Sequence, residues 1–148
     1  GLTAVVLASD VTNNNGTANT MQDVTGLGFP VLSGKTYYFR FIIRYTAAAT
    51  TTGSRWGVNC SAGTAANLSL TSEYTLTTTT STRNAEIQAF DSPASCNATS
   101  GVAINKAVIE GTFTPTADGN FIARFASEVS SSAIVAKAGS VCYYQQLN

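Results

Sequence analysis

The sequence predicts an all-β antiparallel sandwich of jelly-roll type. Three observations carry that reading. Segments rich in Val, Ile, Thr, Tyr and Phe alternate between apolar and polar side chains, the period of a pleated strand. Turn residues punctuate the chain about every ten residues, the spacing of a sandwich or barrel built from short strands. No segment sustains the apolar repeat of an amphipathic helix.

Taken in order, residues 2–9 (LTAVVLAS) form a short apolar run, and residues 10–20 (DVTNNNGTANT) read as a polar loop, since Asn and Gly favour turns. Residues 21–36 predict a short strand followed by a turn region around Gly26, Gly28 and Pro30. Residues 36–47 (TYYFRFIIRYTA) alternate cleanly. Tyr37, Phe39, Phe41, Ile43 and Tyr45 share a core face, while Tyr38, Arg40, Ile42 and Arg44 share a face that meets solvent or a partner. TAAATTTGS (46–54) connects this strand to the next, SRWGVNCSAG (54–63), which turns Trp56 and Val58 to one side. LSLTSEYTLTTTT (68–80) places Leu68, Leu70, Tyr74 and Leu76 at even positions with β-branched Thr among and after them. NAEIQAFDS (84–92) is ambiguous and admits a turn of helix. Residues 102–129 predict two strands joined by PTADG, and residues 133–147 a further pair around Gly139. The expected core holds Tyr37, Phe39, Phe41, Ile43, Trp56, Ile109, Phe113, Phe121 and Phe125.

The 148 residues are 44% hydrophobic, enough for a core without disulfides or metal, and are expected to form one domain over 1–148. Only 11% are charged, less than half the usual quarter, and eight basic residues balance eight acidic ones. Thr, Ser, Ala and Asn take the place of the Lys and Glu that keep diffusing proteins apart, so the chain reads as a component of an assembly. No basic run supports nucleic-acid binding, and no apolar stretch approaches a membrane span. The chain starts at Gly1 without a Met, which reads as processed or cut from something longer.

Chemistry has little to stand on. Without histidine, Ser–His–Asp and Cys–His arrangements are impossible. Asp10, Asp23, Glu73, Glu86, Asp91, Glu110, Asp118 and Glu128 are scattered, and no catalytic carboxylate pair is expected. Cys60, Cys96 and Cys142 show no CxxC spacing, which effectively excludes structural zinc; they read as isolated small hydrophobes, with a disulfide within or between chains as the alternative. The glycines are singly placed, so no phosphate loop and no cofactor is expected, and no Asp/Asn repeat marks a calcium site. Trp56, Tyr74, Tyr143 and Tyr144 are the aromatics that could stack on sugars, but each sits in a β pattern, where core or intersubunit packing is preferred. The glycosylation patterns at Asn15, Asn59, Asn67 and Asn97 match chance in so Asn-, Ser- and Thr-rich a chain.

The segments GKTYYFRFIIRYTAAATTTGSRWGVN, SEYTLTTTT, FDSPASCNATS and IEGTFTPTADGNFIARFASEVSSSAIVAKAGSVCYYQQL resemble a domain of tailed-bacteriophage virion proteins. That domain is often found at the C-terminus of longer tail, fibre or head-decoration proteins. The likeness covers the chain from about residue 22 onward and is strongest in YTAAATTTG and in the block from Gly111 to Ser140. The three cysteines stand where other small residues are expected. The resemblance implies a small β domain on the outer surface of a virion, typically trimeric and without enzymatic activity. The expected function is a capsid decoration or cement domain, with the phage major capsid protein or tail proteins as partners. The alternative is a distal tail-fibre domain that binds a host surface glycan. Self-association as a homotrimer is expected through Arg40 and Arg44 on the second face of their strand and through Tyr143 and Tyr144 near the C-terminus. The competing reading pairs Arg40 and Arg44 with Glu110 or Glu128 on a solvated sheet.

Overall fold

A computed structural model describes residues 1–93 and 103–148. Cys96, Asn97 and most of the FDSPASCNATS segment lie outside the described residues. The strands are β1 (Thr3–Val6), β2 (Val11–Asn13), β3 (Gln22–Val31), β4 (Tyr37–Ala47), β5 (Ser54–Cys60), β6 (Leu68–Thr75), β7 (Ser81–Ile87), β8 (Asn105–Phe113), β9 (Gly119–Ser127), β10 (Ile134–Ala136) and β11 (Val141–Gln146). Among the described residues there is no helix.

Two antiparallel sheets face each other. The larger runs β1-β11-β4-β8-β6-β7, with β10 and β2 continuing the β11 and β1 positions; the smaller runs β3-β9-β5. From β3 to β6 each strand crosses to the opposite sheet, and β8, β9 and β10 do so again, which gives the jelly-roll-like sandwich. β4 organises the large sheet because its inward residues are large and its pattern never breaks. Tyr37, Phe39, Phe41, Ile43 and Tyr45 are all buried. Every residue of the expected core is buried. Phe121 of β9 carries the contact between sheets. Its ring lies 4.7 Å from Phe39, 5.0 Å from Phe113 and 5.5 Å from Phe29 between centroids, distances at which aromatic pairs attract.

Four segments depart from the sequence reading. The loop predicted over 10–20 contains β2, a three-residue strand that pairs with β10. The turn predicted around Gly26, Gly28 and Pro30 is instead the middle and end of β3. Its register against β9 shifts between Asp23 and Gly28, and Gly26 takes a φ of +98°. The bulge changes which positions point inward, so Val24 and Leu27, of opposite parity, are both buried. Pro30 is tolerated because β3 is an edge strand, where a missing N–H breaks no ladder. The ambiguous segment 84–92 begins in β7. Its Ala, Glu and Gln favour helix weakly, and pairing with β6 overrides them. The pair around Gly139 does form, but not as a hairpin. β10 and β11 both lie along one edge of β4, linked by a bend at Gly139 with φ +92°.

Phe121→Ala is expected to destabilise the fold by about 3–5 kcal/mol, since the cavity falls where both sheets meet. Urea unfolding followed by tryptophan fluorescence measures it, and a loss below about 1 kcal/mol would contradict this account of the core.

Candidate functional site

Alternation buries the odd residues of β4 and turns Tyr38, Arg40, Ile42 and Arg44 to the outside of the large sheet. The strand register then fixes what stands beside each. One row reads Ala4, Tyr143, Arg40, Glu110 and Thr71 across β1, β11, β4, β8 and β6. The next reads Val6, Val141, Ile42, Val108, Glu73 and Arg83, ending on β7. In a third, Arg44 faces Lys106. The outer face is therefore apolar toward β1 and polar toward β7. Val6 on the edge strand is 60% exposed and Leu2 beside it 56%.

On the polar half, the turn between β6 and β7 closes one side of an open groove of about 580 Å³. The run Thr77–Thr80 turns because hydroxyls replace backbone partners. Thr79 and Thr80 donate their amides to Thr77 Oγ1 at 3.3 and 3.1 Å, and the Thr77 and Thr80 hydroxyls meet at 2.6 Å. Arg40, Arg83 and Lys106 reach the groove together with Glu73 and Glu110. Both carboxylates already accept hydrogen bonds, Glu110 from the Tyr38 hydroxyl at 2.6 Å and Glu73 from Ser81 at 2.8 Å. The bond to Glu110, and then burial, hold the Tyr38 phenol above its ordinary pKa.

Of the residues read from sequence as an interface, Arg40 and Tyr143 are direct cross-strand neighbours. Arg44 leans away and donates to the Ala138 carbonyl at 2.9 Å. Tyr144 points inward, stacked on Phe29 at 4.1 Å and 3°. The Arg–Glu pairing considered from sequence does not form. Among the described residues the ion pairs are Arg124–Asp23, Arg124–Asp91 and Lys137–Asp10. Glu128 accepts from the Gly53 amide at 3.2 Å; burial raises its carboxyl pKa and that bond partly offsets the rise. Of the aromatics considered for sugar stacking, Trp56 and Tyr74 are buried in the core.

Sequence reading missed a second polar assembly, on the outside of the small sheet. After β7, residues 88–93 cross that sheet as a strap. Arg124 of β9 binds Asp91 at 3.0 Å and Asp23 at 2.8 Å, bringing together two carboxylates expected to be apart. Asn59 donates to Asp91 at 2.9 Å, and Arg55 donates to the carbonyls of Asp91 and Pro93. Gly57 lies beneath the strap, where a Cβ would fall 2.7 Å from the Ser92 carbonyl oxygen, so this position admits no side chain. Burial works against the Arg124 charge, but its bonds to Asp91 and Asp23 outweigh this and raise its pKa; burial lowers that of Arg55. A lone Gly between Trp56 and Val58 was the only local signal for such a covering segment. Among the described residues, no cluster of His, Cys, Asp or Glu could hold a metal ion. Cys60 and Cys142 are free and buried.

No family model matches the chain, and no curated protein matches it in sequence. Among solved structures it is similar to the Eiger TNF of S. frugiperda at 10% identity, with 99% of this chain and 93% of that one covered and a TM-score of 0.43. It is also similar to the CBM22-1–GH10 modules of xylanase 10B of Clostridium thermocellum, at 10% identity, 100% and 25% coverage and a TM-score of 0.40. A third likeness is to the infectious bursal disease virus VP2 subviral particle, at 8% identity, 97% and 39% coverage and a TM-score of 0.28. The chain thus spans a quarter of the xylanase chain and about two fifths of the VP2 chain. Likenesses this distant say nothing of what the chain binds.

Arg124→Met is expected to cost about 1–2 kcal/mol, the value of its charged hydrogen bonds discounted for their partial exposure. It should also free the strap, read as faster proteolysis between Gln88 and Pro93; unchanged cleavage would show that Arg124 does not hold it. Burial pushes the Cys142 thiol up to about 12 from an ordinary 9.0. The fold therefore favours the protonated thiol, and this contribution is intact below pH 9 and lost as pH rises toward 12. Iodoacetamide at pH 8 is expected to leave Cys142 unmodified until denaturant is added, as site-resolved mass spectrometry would show.

Proposed function

We propose that the chain is a non-enzymatic structural domain of a bacteriophage particle, a decoration or cement domain on its outer surface that assembles as a homotrimer against the capsid. The sequence resemblance supports the phage setting. The observation that carries self-association is the state of the sheet edges. β7 is guarded by Arg83 and Glu86, and β3 by its bulge and Pro30. β1 carries Thr, Ala and Val alone, with Val6 and neighbouring Leu2 exposed, and has no such guard. A different surface of the next copy covers that edge, and three heterologous contacts close a ring. Tyr143 and Arg40 share a row with Ala4 of this edge, and Tyr143 forms its polar margin.

The proposal that the chain is not an enzyme is supported by the partners of its carboxylates. Asp23 and Asp91 are neutralised on Arg124, Asp10 on Lys137, and Asp118 accepts from the Ser33 amide at 2.8 Å. The groove beside the turn at 76–80 favours a second reading, the distal domain of a tail fibre recognising a host surface glycan. Cryo-EM of intact particles distinguishes head from tail.

Light scattering at micromolar concentration is expected to give a trimer mass. Val6→Lys, which places a charge on the exposed edge, is expected to give monomer with an unchanged melting temperature. A monomeric parent chain, in solution and on the particle, would overturn the trimer; a dimer would replace the ring by strand-to-strand pairing.

A further inference from the structure

The chain has only eight cations, and their placement is uneven. Arg55 and Arg124 hold the strap, Lys137 pairs with Asp10, and Lys35 lies in the turn after β3. The other four, Arg40, Arg44, Arg83 and Lys106, all stand on the outer face of the large sheet. Arg44 and Lys106 are directly opposite each other on adjacent strands. Like charges so placed destabilise a sheet. Arg44 is relieved by the Ala138 carbonyl, while Lys106, Arg40 and Arg83 line the groove outside any ion pair of the described residues. Arg40 faces Glu110 and Arg83 faces Glu73 across neighbouring strands, so Lys106, set against Arg44, is where the local rule is broken, and such breaks occur at functional sites.

From the groove we infer that this face binds an acidic polysaccharide, one whose carboxylates are separated by neutral, hydroxyl-bearing sugar units. The inference rests on the glycan-binding reading above and names its ligand class. The spacing of the cations is the first argument. Strands lie about 4.8 Å apart with a rise of about 3.4 Å per residue, which puts the Cα atoms of Arg40, Arg83 and Lys106 about 12–16 Å from one another. Cations so spread suit a chain that carries charge at intervals. The wall is the second argument. Eight Thr and Ser residues from Thr71 to Ser81 line the groove; Ser72, Thr75, Thr77, Thr80 and Ser81 already bond within the chain, and the exposed Thr78 and Thr79 offer hydroxyls to a ligand. Third, the groove gives bases nothing to stack on. Its aromatic lining residue, Tyr74, is 1% exposed, and nucleic-acid binding needs such platforms or clustered basic residues. Recognition here works by charge and hydroxyls on an exposed sheet.

The test uses the whole chain and four probes in parallel: hyaluronan, in which every second sugar carries a carboxylate, neutral dextran, polyphosphate and a single-stranded oligonucleotide. Hyaluronan is expected to bind, more weakly as salt rises, and to be lost by about tenfold or more in the Arg83→Ala/Lys106→Ala double variant. Both side chains are exposed, so the melting temperature should stay as in the parent. Lys35→Ala, a cation removed outside the groove, is expected to leave binding unchanged. Equal binding of polyphosphate or the oligonucleotide would reduce the site to bare charge and overturn the inference, as would double-variant affinity equal to the parent's. Binding of dextran as tight as that of hyaluronan would overturn the acidic ligand while leaving glycan recognition standing. No binding to either polysaccharide or to a broad glycan panel would end both.

Discussion

The rest of the structure depends on one contact, the seating of Phe121 between the two sheets. The small sheet has three strands and the large one eight, and Phe121 stands on the central strand of the small one. Its ring meets Phe29 of its own sheet and Phe39, Phe41 and Phe113 of the other, so it brings two strands of the large sheet under one side chain. Trp56 extends the same layer, stacked on Phe125 at 5.1 Å and tilted against Tyr45 at 4.8 Å. Burial of this row fixes the register of β4, β8 and β9 together. A slip of one residue in any of them would turn its aromatics outward. The outer faces inherit their pattern from that constraint. Arg40, Glu110 and Tyr143 share a row because the residues on either side of each had to face inward.

Legibility in the sequence follows from which physical effect was local. β4, β8 and β9 were readable because each alternates without interruption, and the alternation is itself the burial pattern. The core residues followed from the same period. β3 was not readable, since Gly26 and Pro30 signal a turn by their backbone preferences, and only the tertiary structure reveals an edge strand that admits a bulge and a missing donor. β7 was obscured because an exposed edge strand needs little hydrophobic alternation. Tyr143 and Tyr144 were both assigned to contact, although alternation alone sends neighbours to opposite faces. Which of the two faced inward depended on pairing with β4, and that lay beyond local pattern. The meeting of Asp23 with Asp91 on Arg124 depends on a strap of irregular chain, and no periodicity encodes it.

Scarcity of charge makes its positions informative. In a chain with an ordinary share of Lys and Glu, four cations on one sheet face would be unremarkable solvation. Here that face holds half of the cations, while the other half holds down irregular chain or occupies loops. The small sheet and the large sheet consequently differ in how their outer faces are finished. The strap at 88–93 covers part of the small sheet, held by two arginines and accommodated by the missing side chain at Gly57. The outer face of the large sheet carries no such strap among the described residues, and the threonine turn at 76–80 overhangs one end of it.

The asymmetry bears on how one small domain can serve both assembly and recognition. The two proposed contacts lie on the same face, the apolar edge at β1 and the groove that runs from Arg40 on β4 across β8 and β6 to β7, with β11 between them. Five spacings of about 4.8 Å place β1 and β7 about 24 Å apart, so the β7 side of the groove stays open when β1 is covered. Arg40 and Glu110 line the groove on its β4 and β8 side, where apolar surface gives way to polar. A trimer built on β1 would then leave three grooves free. Each would be a weak site alone, as screened charges on an exposed sheet are. Repeated around a ring and again around a particle, weak sites reach useful affinity through effective concentration rather than through any new contact. On this logic the neutral, threonine-rich surface is suited to assembly, and assembly is what makes a shallow charged groove sufficient.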